Sequence, residues 1–257
     1  MSILFKPLPR RQAIRRTLLM MSFVAFPVTM NFMSPYVIID GAFSGIVTGS
    51  AILFASMFVG SMLLGRLWCG WVCPAAGMQE PFLRVNGRRV GPRADIIKWV
   101  VWVVWVGVIV LGVVSAGGYT TVDPLHLTEG GISVQGSPER PIFVAYLIYF
   151  IVVLTFMGLS LAFGRRNGCH TICWMAPFMI LGRGVRNRLG AWPSLRLVAD
   201  SEKCTHCHAC TQSCPMSIDV ERLVDAGSLE HPECALCATC ADACPAKVIR
   251  YSFSAGS

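Results

Sequence analysis

The chain has 257 residues, 54% hydrophobic and only 14% charged, with a formal net charge of +8. An ordinary soluble domain carries about 25% charged residues, so the composition excludes a conventional water-soluble globule. No basic stretch is interleaved with stacking aromatics, which excludes a nucleic-acid binder and assigns the positive charge to loops at a bilayer surface.

Residues 1–16 hold Lys6, Arg10, Arg11, Arg15 and Arg16 and read as a cytoplasmic N-terminal segment. Residues 17–182 read as a four-helix membrane domain. Its apolar stretches are Thr17–Ile39, Ser44–Leu64, Ile96–Gly117 and Ile142–Phe163, each near the ~20 residues a span requires. The first follows basic residues, as a signal peptide would, but no small-x-small site closes it. It reads as a retained span that Pro27 kinks.

Lysine and arginine alternate by side. The first loop has none, and the second holds Arg66, Arg84, Arg88, Arg89, Arg93 and Lys98. The third has only Arg140 against Asp123, Glu129 and Glu139, and Arg165, Arg166, Arg183, Arg186 and Arg188 follow the fourth stretch. This pattern places both termini and every cysteine on the cytoplasmic side of a bacterial or archaeal inner membrane.

The membrane part is duplicated. Each pair of stretches ends in Gly-Arg and then C-x3-C, first as Gly65-Arg66 with Cys69 and Cys73-Pro74, then as Gly164-Arg165 with Cys169 and Cys173. Spacing of four puts two side chains on one helix side, so four thiols converge on one membrane face. They form a third site for a metal, a further cluster or redox-active disulfides. The plain alternative is packing, because buried cysteine is a common small hydrophobe.

Residues 183–199 read as a basic juxtamembrane linker. Residues 200–257 carry C-x2-C-x2-C-x3-C-P twice: Cys204, Cys207, Cys210 and Cys214-Pro215, then Cys234, Cys237, Cys240 and Cys244-Pro245. That is the bacterial ferredoxin spacing for two 4Fe–4S clusters, in which each fourth cysteine ligates the other cluster. One cluster takes Cys204, Cys207, Cys210 and Cys244, the other Cys234, Cys237, Cys240 and Cys214. Zinc sites use separated C-x2-C knuckles instead. The C-x2-C-H at Cys204–His208 is a haem-attachment decoy, since the cluster run already claims both cysteines. His206 and His208 read as exposed loop residues, Ile218–Gly227 as a short helix and Val248–Phe253 as a strand.

Acidic residues dominate this tail: Asp200, Glu202, Asp219, Glu221, Asp225, Glu230, Glu233 and Asp242 outnumber Lys203, Arg222, Lys247 and Arg250. A redox partner with a basic surface would dock there. His126, Asp123 and Glu129 are outer-loop candidates for accepting a quinol proton. Gln79, Glu80 and His170 are placed for a quinone head group or a metal.

These elements together resemble the NapH-type membrane ferredoxins, relatives of the membrane part of NosR and of copper-reducing accessory proteins of cytochrome oxidase assembly. Cys69-Gly-Trp-Val-Cys73-Pro74 after a span is the most specific of them. The second pair departs from the family at Cys173-Trp174, where proline is more usual. The resemblance implies electron transfer from the quinol pool, or between soluble carriers and the membrane, in a multi-subunit oxidoreductase. The missing outer flavin domain and extra C-terminal sandwich domain favour the short NapH-like branch.

The expected fold is therefore membrane all-α, four transmembrane helices in two repeated hairpins, with a C-terminal α+β two-cluster ferredoxin domain. The expected partners are the lipid bilayer, the quinone pool and a redox protein. Two other functions compete: a metal-handling accessory protein using the membrane-face thiols for copper reduction or cofactor assembly, and a redox sensor without net turnover.

Overall fold

The computed structural model describes residues 8–128, 130–134, 141–190 and 192–255. Lys6, Glu129, Glu139 and Arg140 lie outside the described residues. The chain is mostly helical, with two candidate membrane helices, α7 (Arg93–Ser115) and α8 (Ile142–Phe163). Only 17% of the apolar window of each is buried within the protein. Val103, Val104 and Leu111 on α7 and Phe150, Ile151 and Leu154 on α8 point outward. Soluble monomers rarely expose contiguous apolar faces of this size, and lipid is the solvent that suits them.

The expectation of four transmembrane helices is met at two of the four stretches. The first is broken into α1 (Arg10–Val24), α2 (Phe26–Thr29), a short 3-10 turn (Asn31–Met33) and α3 (Pro35–Phe43). Pro27 and Pro35 stand in the first turns of α2 and α3, where a proline is tolerated but an uninterrupted helix cannot run through it. The carbonyls freed by the break find distant donors. Val28 O accepts from Ser133 Oγ at 2.6 Å, Met33 O from Trp174 Nε1 at 2.9 Å, Ser34 O from Ser50 Oγ at 2.9 Å and Pro35 O from Trp105 Nε1 at 3.2 Å. This is how irregular backbone survives in an apolar setting.

The second stretch opens with a short strand, β1 (Ile46–Thr48), paired in parallel with β2 (Thr121–Asp123). It continues as α4 (Gly49–Leu64), 16 residues long, about 24 Å at 1.5 Å per residue.

Each repeat then turns at a left-handed glycine, Gly65 or Gly164, into a five-residue helix, α5 (Leu67–Trp71) or α9 (Asn167–Thr171). A proline-started helix follows, α6 (Pro74–Gln79) or α10 (Ala176–Leu189). α6 packs on α1: a Cβ on Gly77 would lie 2.4 Å from Leu19 O. α10 packs on α4 through Gly182, where a Cβ would meet Phe58 O at 2.2 Å.

The stretch expected as a linker, 183–199, instead continues α10 and then forms β3 (Ser194–Ala199). β3 pairs antiparallel with β4 (Ile249–Ser254), in register from Ser194↔Ser254 to Ala199↔Ile249. Between these strands lie α11 (Ala209–Ser213), α12 (Val220–Asp225) and α13 (Thr239–Ala243).

Candidate functional site

The two cysteine runs repeat in backbone as well as in sequence. His206, His208 and Ser217 have positive φ, and so do Leu236, Ala238 and Lys247 at the equivalent positions of the second run. Non-glycine residues adopt that region at a cost. Six in register are the signature of a loop wound tightly around something.

Each loop encloses a cavity. One is lined by Cys204, Cys207, Cys210 and Cys244, the other by Cys234, Cys237, Cys240 and Cys214. These are the two crossed ligand sets expected from spacing. Burial first, and then the neighbouring Cys237, push the Cys214 thiol up to about 11. Such a thiol needs a cationic core to become a thiolate. Four sulfurs around each cavity, with amides of Met216 and Ile218 facing Cys214, fit a cubane in both.

The two cavities differ in surroundings. That of Cys234, Cys237, Cys240 and Cys214 is walled by Leu197, Met216, Ile218 and Leu229. That of Cys204, Cys207, Cys210 and Cys244 reaches solvent, with Cys207 exposed. The side chains of His206 and His208, 62% and 67% exposed, pair with Glu221.

The enclosed cavity faces the membrane part. A Cβ on Gly70, between Cys69 and Cys73, would lie 2.2 Å from Ala235 O and 3.3 Å from Cys237 Cα. Trp71 Nε1 donates to Leu236 O at 3.1 Å, and Gln12 Nε2 to Cys237 O at 3.0 Å.

Ion pairs hold this junction. Glu233 bonds Arg66 at 2.7 Å and Lys98 at 2.6 Å, and Asp242 bonds Arg11 at 2.6 Å. Glu230 pairs with Arg183. The acidic tail, expected to serve a partner, thus spends Glu230, Glu233 and Asp242 on its own chain's Arg183, Arg66, Lys98 and Arg11. Burial raises the Glu233 carboxyl, but Arg66 and Lys98 together outweigh it and hold it at about 2.

Cys69, Cys73, Cys169 and Cys173 are all buried, 3–7% exposed, and each is a free thiol. The two repeats bring them within electrostatic reach of one another. Burial first, then Cys169 and Cys69, push Cys173 up to about 12. Gln79, fully buried, donates from Nε2 to Cys169 Sγ at 3.2 Å and accepts from Ser160 Oγ and the Gly168 amide. Glu80 accepts from Arg166 at 2.7 Å and also pairs with Arg15. His170 Nδ1 meets Asp95 at 2.7 Å. His126 Nε2 meets Asp40 at 2.7 Å. Asp40 was missed in sequence, although a lone carboxylate ending an apolar run was a signal.

Residues 46–93 match a family model described as a 4Fe-4S binding domain, and residues 203–249 one described as a 4Fe-4S dicluster domain. YccM of Escherichia coli, named for electron transport, is 23% identical over 82% of this chain and 57% of its own length. RdxA of Cereibacter sphaeroides is 26% identical over 73% of this chain and 42% of its own. The nitrogen fixation protein FixG of Rhizobium meliloti is 26% identical over 73% of this chain and 38% of its own. Two segments of the chain thus match 4Fe-4S domain models, and most of the chain is similar to these three proteins, one of them named for electron transport. It binds two 4Fe–4S clusters, and the resemblance to the NapH/NosR-like kind holds. It spans about half the length of these curated relatives. No solved structure matches it.

Proposed function

We propose that the chain carries single electrons between the quinone pool and a redox partner, at the cytoplasmic face of a bacterial or archaeal inner membrane. In this reading α1–α3 and α4 join α7 and α8 as a four-crossing membrane domain over residues 17–182, both termini are cytoplasmic, and residues 200–257 with β3 form the ferredoxin domain. Cys204, Cys207, Cys210 and Cys244 hold one cluster, and Cys234, Cys237, Cys240 and Cys214 the other. When bound, the clusters supply one-electron carriers.

The observation that carries the quinone reading is an apolar cavity of about 370 Å³ between α2, α3, α6 and α8, within the range of small-molecule sites. Phe26, Met30, Met78, Ile148 and Phe156 line it, together with Cys173 and Trp174. Oxidising a quinol to a quinone releases two electrons and two protons. His126, oriented by Asp40 one helical turn from Tyr36 of the cavity, supplies a proton acceptor.

The exit is the solvent-facing end, where Cys207, His206, His208 and Asp225 offer a partner an exposed, acid-flanked surface. Addition of a quinol analogue to anaerobically purified protein tests the coupling. Bleaching of the cluster absorbance is expected, and clusters that stay oxidised while dithionite still reduces them would sink it.

A second reading is metal handling, and the burial of four thiols in one place favours it, because soft thiolates suit Cu(I). Replacing Cys69 and Cys73 with serine would abolish copper binding if this reading held.

A further inference from the structure

We propose that Cys69, Cys73, Cys169 and Cys173 together hold a third iron–sulfur cluster, of the four-iron class, inside the membrane part. Each repeat supplies half of a four-cysteine ligand set. The family match over residues 46–93, described as a 4Fe-4S binding domain, contains only Cys69 and Cys73 of the twelve cysteines. The fold brings Cys169 and Cys173 to complete the set.

The four thiols are grouped as the ferredoxin thiols are, without a preformed mononuclear site. A tetrahedral ion with bonds of about 2.3 Å needs its sulfurs about 3.8 Å apart. Among the described residues, the groups with all ligand atoms within 4.8 Å of one another are Cys204–His206–Asp225 and Asp95–His170–Glu233. No three of the four membrane-face thiols form such a group. The cubane-binding thiols of the ferredoxin domain form no all-sulfur group either.

The charge beside the sulfurs has the sign that a cluster needs: Arg66 faces Cys69 and Cys173, and Arg166 faces Cys169. Arg15, Arg66, Arg166 and Lys98 are each at most 3% exposed, while the buried carboxylates facing them are Glu80 and Glu233. Two buried positive charges are left over. The half-exposed Arg16 and Asp95, which pair with Glu80 and Lys98, cancel each other. Four thiolates around an oxidised four-iron core carry roughly −2, a charge that Arg66 and Arg166 oppose.

Donors face the sulfurs as well. Gln79 Nε2 bonds Cys169, and the amides of Ala76 and Ala176 face Cys73 and Cys173 at matching places in the two repeats. Hydrogen bonds to ligating sulfur are a standard control on cluster potential. Gly70 sets this site against Ala235 and Cys237, next to the enclosed ferredoxin cavity.

The proposal stands whether or not a quinone is the donor, and its test reads composition rather than turnover. Full-length protein, purified anaerobically in detergent, should carry about 12 iron and 12 labile sulfide per chain, against about 8 for the ferredoxin clusters alone. Mössbauer area should show the same proportion. The double variant Cys69→Ser/Cys169→Ser should lose about a third of the iron and keep the ferredoxin spectra. About 8 iron in the wild type, with or without a tightly held copper, would overturn the proposal, as would a variant with undiminished iron. If the variant fails to fold, the wild-type iron count and Mössbauer area decide alone.

Discussion

Replacing Glu80 with glutamine should destabilise the junction between α1, α6 and α9 by about 3 kcal/mol. Its carboxylate, 5% exposed, takes Arg166 at 2.7 Å and Arg16 at 3.4 Å and also pairs with Arg15. Burial opposes its charge, but Arg166 and Arg15 prevail and hold the carboxyl at about 2 against an ordinary 4.5. That difference corresponds to about 3 kcal/mol. Breaking a buried ion pair by removing one partner costs a similar 3–5 kcal/mol or so.

The folded carboxyl lies below its unfolded value, so the contribution is complete above about pH 4.5 and is lost as pH falls towards 2. Anaerobic thermal unfolding in detergent at pH 7 should show Glu80→Gln melting about 6–12 °C below the wild type. The acid transition followed by far-UV circular dichroism should be shallower in the variant. A gap under about 2 °C at pH 7, with acid transitions that superimpose, would refute the reasoning.

Gly70→Ala should force the ferredoxin domain off α5, since its Cβ would meet the Ala235 carbonyl at 2.2 Å. The expected cost is about 1–3 kcal/mol, read as faster hydrogen exchange at residues 234–240. Cys244→Ser should alter the electron paramagnetic resonance signal of the solvent-facing cluster and Cys214→Ser that of the enclosed one; the reverse would refute crossed ligation. Gln79→Leu, which removes the hydrogen bond to Cys169, should shift the midpoint of one centre in a redox titration and leave the ferredoxin midpoints in place. Met78→Trp, placed in the 370 Å³ cavity, should blunt the response to quinol while dithionite reduces the clusters as before.

The grouping of the eight tail cysteines around two cavities was legible in the sequence because each set is mostly local: three cysteines in seven residues, and a proline that turns the chain. Helix α12 and strand β4 were legible for the same reason. The broken first stretch was not. Apolar content registers burial but not the donors from Trp105, Ser133 and Trp174 that let the backbone break. Strand β3 was hidden by Arg183, Arg186 and Arg188, which read as linker charge, although Leu195 and Leu197 alternate with Ser194 and Arg196. Charge counting also placed Arg15, Arg66, Arg166 and Lys98 in solvated loops. They are buried, because their partners, Glu80 and Glu233, arrive from elsewhere in the fold.

The grip of α1 on the ferredoxin domain bears on how the molecule is made. Gln12 bonds Asp242 at 2.6 Å across 230 residues of sequence, so α1 leaves the ribosome long before the segment that takes its polar contacts. Until then Gln12 and Arg11 wait without the carboxylate they share. Contacts of such long sequence separation form late. The Cys237 carbonyl, which Gln12 also holds, is fixed to α1 only once that later segment is in place.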